Sequence, residues 1–377
     1  MPKNWKTYKL SDALEIKYGK DHKKVQDGNI PIYGTGGVMR YGNQALYDKE
    51  TILIPRKGSL NNIYYLNEPF WSVDTIFWSK INEDVAFPKY LYYNLKVLDF
   101  ASMDVGSAIP SLTTELLKKI EIELPSLIEQ KSIASILSTI DDKIENNLAI
   151  NKTLEEMATA LYKHWFLDSA TDDWEKFYLK DIIEIKGGFS YKGEFIGEGD
   201  SLLLGMGCVS YNKRFVSSGA RLYSGECNLS HYVEPGEIVL ATRQQSDNLP
   251  ILGKPAIIPK YLLGKKIIVG TNLYRVINKS KLSNSLLFQL LKSKEYSEHV
   301  RANASGTTVR MITKDVIELY ELELPPEHLI YKYNEKISSI SENIEQNTIE
   351  NITLTQLRDT LLPKLISGEV RLKEFRE

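Results

Sequence analysis

The chain has 377 residues, 42% of them hydrophobic and 25% charged. That balance belongs to a globular protein of about two or three domains and excludes a collagenous, largely disordered or disulfide-stapled chain. With 47 basic against 49 acidic side chains the formal net charge is −2, which lacks the bulk basicity often found in nucleic-acid binders. No apolar run approaches the ~18 residues of a membrane span, so no membrane association is expected. The opening MPKNWKTYKL has no apolar core of the kind a secretory signal needs. Two cysteines, Cys208 and Cys227, fit a reducing cytoplasm.

Taken from its start, the chain opens with a stretch rich in Gly, Tyr, Ile and Asn, residues 1–124, which reads as short strands broken by turns. Leu124-Pro125 ends it, because proline disfavours helix in the residue before it and suits a helix's first turn. A helical segment follows over 125–170. Residues 171–324 then repeat the first stretch, and 325–377 repeat the helix. The duplication is visible in Trp5-Lys6-Thr7-Tyr8-Lys9-Leu10-Ser11-Asp12 against Trp174-Glu175-Lys176-Phe177-Tyr178-Leu179-Lys180-Asp181, and in Ile122-Glu123-Leu124-Pro125 against Leu322-Glu323-Leu324-Pro325. The two offsets, 169 and 200, leave 31 extra residues in the second copy, around Gly197 to Leu263.

The helical segments carry the clearest periodicity. Ile133, Leu137, Ile140, Ile144, Asn147, Asn151, Leu154, Ala158, Leu161 and Trp165 alternate in steps of four and three, an a/d stripe. Two hundred residues on stand Tyr333, Ile337, Ile340, Ile344, Asn347, Asn351, Leu354, Arg358, Leu361 and Leu365, with only Arg358 out of character. Asparagine on an apolar seam weakens it but fixes register. If the helices pair antiparallel with Asn147 facing Asn351, then Asn151 faces Asn347, Trp165 faces Tyr333 and Ile144 faces Leu354. This predicts a pseudo-twofold antiparallel coiled coil. At ~1.5 Å per residue each helix, about 40 residues long, would span roughly 60 Å and act as a spacer between two inverted globular domains. The alternative is that each stripe packs only on its own globular domain. Trp165, Phe166 and Leu167 near one helix end, and Leu361, Leu362 and Leu365 near the other, are either core residues or a docking surface. Glu155 and Glu345 are expected on exposed flanks.

Charge is unevenly spread. Residues 1–124 hold 16 basic and 15 acidic side chains and residues 171–324 hold 20 and 18, whereas both helical segments are acidic. So small an excess is compatible with an ordinary solvated surface, and also with a DNA reader whose partners supply further phosphate contacts.

Motifs for catalysis are wanting. Gly34-Thr35-Gly36-Gly37 lacks the spacing and lysine of a phosphate-binding loop and reads as a tight turn. Gly205-Met206-Gly207 has no third glycine in register. Asn67-Glu68-Pro69-Phe70 faintly resembles the Asn-Pro-Pro-aromatic site of amino-methyltransferases, but Glu68 breaks it and no adenosylmethionine loop accompanies it. Cys208, Cys227 and His231 do not have zinc spacing, and the five histidines are scattered. No catalytic residue and no metal ligand is assigned, which argues for a binding or scaffold protein.

The order globular domain, long helix, globular domain, long helix resembles the specificity subunit of type I restriction-modification systems, the HsdS family. The C-terminal run Leu361-Leu362-Pro363-Lys364-Leu365-Ile366-Ser367-Gly368-Glu369-Val370, its counterpart Leu161-Tyr162-Lys163-His164-Trp165-Phe166-Leu167-Asp168 and the openings Trp5-x4-Leu10 and Trp174-x4-Leu179 are similar to that family's conserved stretches. The resemblance covers essentially the whole chain. It implies two α/β (α+β) target recognition domains in tandem, each followed by a long α-helix and each reading half of a bipartite, asymmetric double-stranded DNA target. It implies helices that set half-site separation and dock two methyltransferase subunits, which ATP-dependent restriction subunits can join. S-adenosylmethionine and ATP with magnesium would then sit on those partners, none on this chain, which would be non-catalytic. A stand-alone DNA-binding regulator and a protein-binding adaptor are the competing readings.

Base readers are Arg, Lys, Asn and Gln, and phosphate contacts add Ser, Thr and backbone N–H groups. Glycine-flexible loops carrying these residues are the candidate DNA contacts. The first holds Thr35, Gly36, Gly37 and Arg40. The second holds Arg56, Lys57, Ser59, Asn61 and Asn62 after the strand-like Thr51-Ile52-Leu53-Ile54. Its counterpart, Arg243, Gln244, Gln245, Ser246 and Asn248, follows Ile238-Val239-Leu240. The third holds Ser107, with counterpart Thr307 and Arg310. Tyr211, Lys213 and Arg214 are further candidates in the second domain. Each loop can also be read as an ordinary solvated turn.

Overall fold

In both repeats the Trp-x4-Leu-x-Asp motif is where a globular segment closes on itself. A computed structural model describes residues 4–103, 110–244 and 251–375. Strand Lys6–Lys9 pairs antiparallel with Glu121–Leu124, and Glu175–Tyr178 pairs in the same way with Glu321–Leu324. A one-turn helix follows each first strand. Its Leu10 N–H donates to the Ile120 carbonyl at 2.8 Å, and Leu179 N–H to Tyr320 at 2.9 Å. The Asp12 and Asp181 carboxylates accept from the Lys9 and Tyr178 N–H groups at 2.9 and 2.8 Å, capping the two helix starts. Trp5, Leu10, Trp174 and Leu179 are buried. The motif therefore joins the two ends of a domain beside the start of a long helix.

Each domain repeats one sheet plan. In the first, an antiparallel sheet runs Leu14–Tyr18, Ile76–Ile81, Thr51–Pro55, Tyr64–Leu66. In the second the equivalent order is Ile183–Gly187, Leu273–Asn278, Ile238–Ala241, Pro255–Ile257. Thr51–Pro55 and Ile238–Ala241 are buried along their whole length, as central strands covered on both faces must be. A second sheet also recurs. Asp27–Gly34 pairs antiparallel with Gly37–Gly42 and parallel with Trp71–Ser72. Ile196–Leu204 does so with Ala220–Tyr223 and Lys266–Val269, and here Tyr232–Val233 adds a fourth strand. The first hairpin turns through Thr35 and Gly36, with Gly37 at φ +106°, a conformation glycine adopts without a Cβ penalty. The second passes through residues 205–219, so part of the extra length lies in this connection.

The long helices run Leu127–Lys163, continued by a wider turn over His164–Asp168, and Glu327–Ile366. Ser126 Oγ accepts from Glu129 N–H at 3.3 Å at the first helix start. Gln130 anchors this helix to its domain, donating to the Val85 and Pro125 carbonyls and accepting from Phe87 N–H at 2.8 Å.

The chain divides into two compact units, Met1–Glu145 with Ile352–Glu377, and Asn146–Asn351. Each contains a globular domain and one half of each long helix. In the second unit the helices pair antiparallel in the register read from the stripe. Asn147 Nδ2 donates to Asn351 Oδ1 at 2.9 Å, Asn347 Nδ2 donates to Asn151 Oδ1 at 2.8 Å, and Trp165 stacks on Tyr333 with centroids 4.3 Å apart. Asn147 is fully buried. In the first unit Ile133, Ala134 and Leu137 share a core with Leu362, Leu365 and Ile366. Arg358 ceases to be an anomaly, because its guanidinium donates to Asp141 Oδ1 at 3.0 Å, and Asp141 accepts from the Tyr93 hydroxyl at 2.7 Å.

Most of the aromatic and leucine residues near the helix ends belong to these cores. Phe166, Leu362 and Leu365 are buried, Trp165 and Leu361 pack against a core, and Leu167 is 37% exposed. Beyond Gly368 the tail stays in the first unit, where Arg371 meets Glu129 in two charge-assisted hydrogen bonds of 3.0 and 2.9 Å, with Glu129 only 1% exposed. Removing one partner of such a pair leaves the other charged and desolvated. Arg371→Ala is expected to cost about 3–5 kcal/mol of unfolding free energy, measured by urea denaturation.

Candidate nucleic-acid interface

In the first unit three segments distant in sequence meet at one end of the central strand Thr51–Pro55. The carbonyl of Thr35, in the hairpin turn, accepts from Asn62 Nδ2 and from the Tyr64 hydroxyl, each at 3.0 Å. Lys57 bridges to Ser111, Gly58 N–H donates to the Pro110 carbonyl at 3.0 Å, and Leu112 N–H donates to that of Arg56 at 2.9 Å. The loop's shape is held from within: Asn61 donates to Asp99 and accepts from Ala101 N–H, and Arg56 donates to the Asp74 carbonyl at 3.1 Å beside the Tyr18 ring. Gly36, Lys57 and Ser59 are left exposed.

The second unit builds the same junction. Strand Arg243–Gln244 pairs with Arg310–Met311, and Ile312 N–H donates to Thr242 at 3.0 Å. The 200-residue offset relates Ser111 to Met311 and Leu112 to Ile312. Lys57 is therefore the structural counterpart of Arg243, and Arg56 that of Thr242, one position away from the sequence match. Lys57 and Arg243 are both exposed, and neither forms an ion pair among the described residues. Thr307 is exposed in the turn leading to Arg310, and Gly306 at φ +91° sits where a Cβ would strike the Val309 carbonyl.

Several expectations change. Arg214 is not a surface reader: its guanidinium donates to Glu155 Oε1 at 3.0 Å and Ser341 Oγ at 2.6 Å and covers the Phe288 ring. Arg40 is bound by the His22 and Val25 carbonyls at 2.6 and 2.7 Å, with Asp27 also in reach, so it holds the start of its own hairpin. Gln244 is buried and accepts from Leu252 N–H. Glu155 lies under Arg214 and Lys292 rather than on a free flank, and Glu345 accepts from Lys260 N–H. Tyr211 and Lys213 are exposed. Ser107, Gln245, Ser246 and Asn248 lie outside the described residues. Tyr18, Tyr64 and Ser111 belong to the junction but were missed; for Ser111 the only signal was the repeat offset.

The competing motifs also find structural explanations. Phe70 is fully buried against Trp78, so it is no base-stacking aromatic. Burial pushes the Cys208 thiol up to about 11, as for a core cysteine. Among the described residues no group of three or more His, Cys, Asp and Glu side chains is placed to hold a metal, and no helix is long and apolar enough to cross a membrane.

Burial would raise the Glu155 carboxyl, but the charges of Arg214 and Lys292 outweigh this and hold it below the ordinary glutamate value. A carboxyl lowered in the folded state stabilises above its unfolded value and loses that stabilisation as pH falls through its folded value. Glu155→Gln is expected to lower the urea midpoint at pH 7 and to flatten its decline below about pH 4.5; equal declines in both proteins would remove Glu155 as a contributor.

A duplicated recognition scaffold with diverged loops finds its match among known proteins. The family model described as "Type I restriction modification DNA specificity domain" matches twice, over residues 2–156 and 171–359. The chain belongs to this family. It is 25% identical to the type I restriction enzyme MjaIX specificity subunit of Methanocaldococcus jannaschii, covering 100% of this chain and 95% of that one. It is 24% identical to the HindI specificity subunit of Haemophilus influenzae over 77% and 79% of the two chains. In fold it is similar to the type I restriction-modification S subunit from M. genitalium, with TM-score 0.65, 18% identity and 96% of each chain covered.

Proposed function

We propose that this chain gives a type I restriction-modification assembly its DNA specificity, each globular domain reading one half of a split, asymmetric duplex target. The observation that carries the reading is the paired junction. The backbone pairing carries Lys57 in the first domain, with Ser59 exposed in the loop beyond it, and Arg243 and Arg310 in the second, with Thr307 exposed in the turn before Arg310. A scaffold kept constant beneath different donor sets suits two different half-sites, because the donor and acceptor pattern of the major groove is read by side chains. Lys57 and Arg243 have the bidentate or point-charge chemistry that suits guanine, and Thr35, Ser59 and Thr307 suit phosphate. Asn61 and Asn62 are already engaged within the loop, so in this reading they shape it.

In the same proposal the helical pair docks two methyltransferase subunits, which restriction subunits can join, and the assembly works in the cytoplasm. S-adenosylmethionine, ATP and magnesium are bound by those partners, and this chain performs no chemistry of its own.

The test is a genome-wide map of methylated adenine in the host with the gene intact, deleted, or carrying Arg243→Ala. One split motif is expected to vanish on deletion. Arg243→Ala is expected to relax one half of that motif, with ~1–3 kcal/mol of discrimination lost there and the other half unaffected. A map that does not change on deletion contradicts the proposal. Equal loss at both halves in the variant would assign Arg243 to folding or assembly instead.

A further inference from the structure

We infer a second DNA contact in the second unit, resting on the reading above: a cavity beside the Arg243 junction that takes a phosphodiester of the DNA backbone and reads no base. The cavity has a volume of about 580 Å³ and presents Lys163, Lys254, Lys292, Lys294 and Arg301 against two carboxylates, Glu295 and Glu298. One carboxylate is already used, Glu298 pairing with Lys294 at 3.6 Å, and Lys292 is drawn to Glu155. Lys254 and Arg301 form no ion pair among the described residues.

Lys254 is the unusual member. It is 8% exposed, and among the described residues its ammonium is met by Ser297 Oγ at 2.7 Å, the Lys292 carbonyl at 3.4 Å and the face of Tyr211 at 5.3 Å. A buried cation without a counter-charge costs free energy that a bound anion restores. Burial, and then the nearby charges of Arg301 and Lys292, lower this amine to about 8.

Continuity with the recognition junction identifies the anion. Arg310 Nη2 donates to the Arg301 carbonyl at 3.2 Å, and Gln244, paired with Arg310, accepts from Leu252 N–H two residues before Lys254. Backbone contacts thus connect the junction that carries Arg243 and Arg310 with the segments that carry Arg301 and Lys254, and cations on adjoining segments suit a phosphate track. Tyr211, 59% exposed, stands at its edge.

The test uses the assembly purified from the host through a tag on this chain, and fluorescence anisotropy over a salt series. The probes are a duplex carrying the mapped target and duplexes with either half-site scrambled. Lys254→Gln and Arg301→Gln are each expected to weaken all three duplexes by the same factor and to lower the slope of log affinity against log salt by about 0.9. Arg301 is exposed, so its variant decides the matter if Lys254→Gln does not fold. An unchanged slope, or a loss confined to the target duplex, overturns the phosphate site while the wild-type preference for its target stands. A wild-type assembly with no such preference overturns the specificity reading and this inference together.

Discussion

The contact on which the architecture depends is the crossed pair of amides, Asn147 with Asn351 and Asn151 with Asn347. Asn147 and Asn351 are buried and the other two half-buried, and slipping the helices would leave the buried amides unpaired among apolar side chains. Their register brings Trp165 onto Tyr333 in the second unit. It is also the register in which Arg358 reaches Asp141 and the run Leu362, Leu365 and Ile366 fills the first core. Each compact unit is therefore completed by helix from the other repeat. Each compact unit is one globular domain with two half-helices, and the run Leu362 to Ile366 is a core element of the first unit although it follows the second domain in sequence.

The second principle is a constant ladder under variable side chains. Both domains use the same strand order, the same closing strand pair and the same junction beyond the buried central strand. Side chains that hold the loops are engaged by neighbouring carbonyl and carboxylate groups, as those of Arg40, Asn61 and Asn62 are. Those left over, Lys57 and Arg243 foremost, differ between the copies. Rigid loops make recognition sharper because little conformational freedom is lost on binding. Divergence of a few exposed residues can then change what is read without touching the core.

How much of this was readable in the sequence follows from the range of each interaction. The helix register was readable because two asparagines interrupt a periodic stripe at matching places, and one antiparallel sum then fixes every other pair, including Trp165 with Tyr333. The closing strands were readable as the repeated Trp-x4-Leu-x-Asp. Arg214 was misread because its partners Glu155 and Ser341 lie 59 and 127 residues away, and no local pattern announces a buried arginine. The match of Arg56 with Arg243 slipped by one because identity of residue type outweighed the ladder, which only the pairing of Leu112 and Ile312 reveals. The cavity around Lys254 was invisible for the same reason: it is lined by residues from 159 to 301 that share no motif.

The most direct measurement is a hydroxyl-radical footprint of the purified assembly on duplex DNA carrying the mapped target. The account expects two protected tracts with an accessible stretch between them. Scrambling one half-site should abolish its own tract and weaken the other only through lost affinity. A single continuous tract that responds to both halves alike, or protection indifferent to sequence, would contradict a chain whose two domains each read their own half of the site.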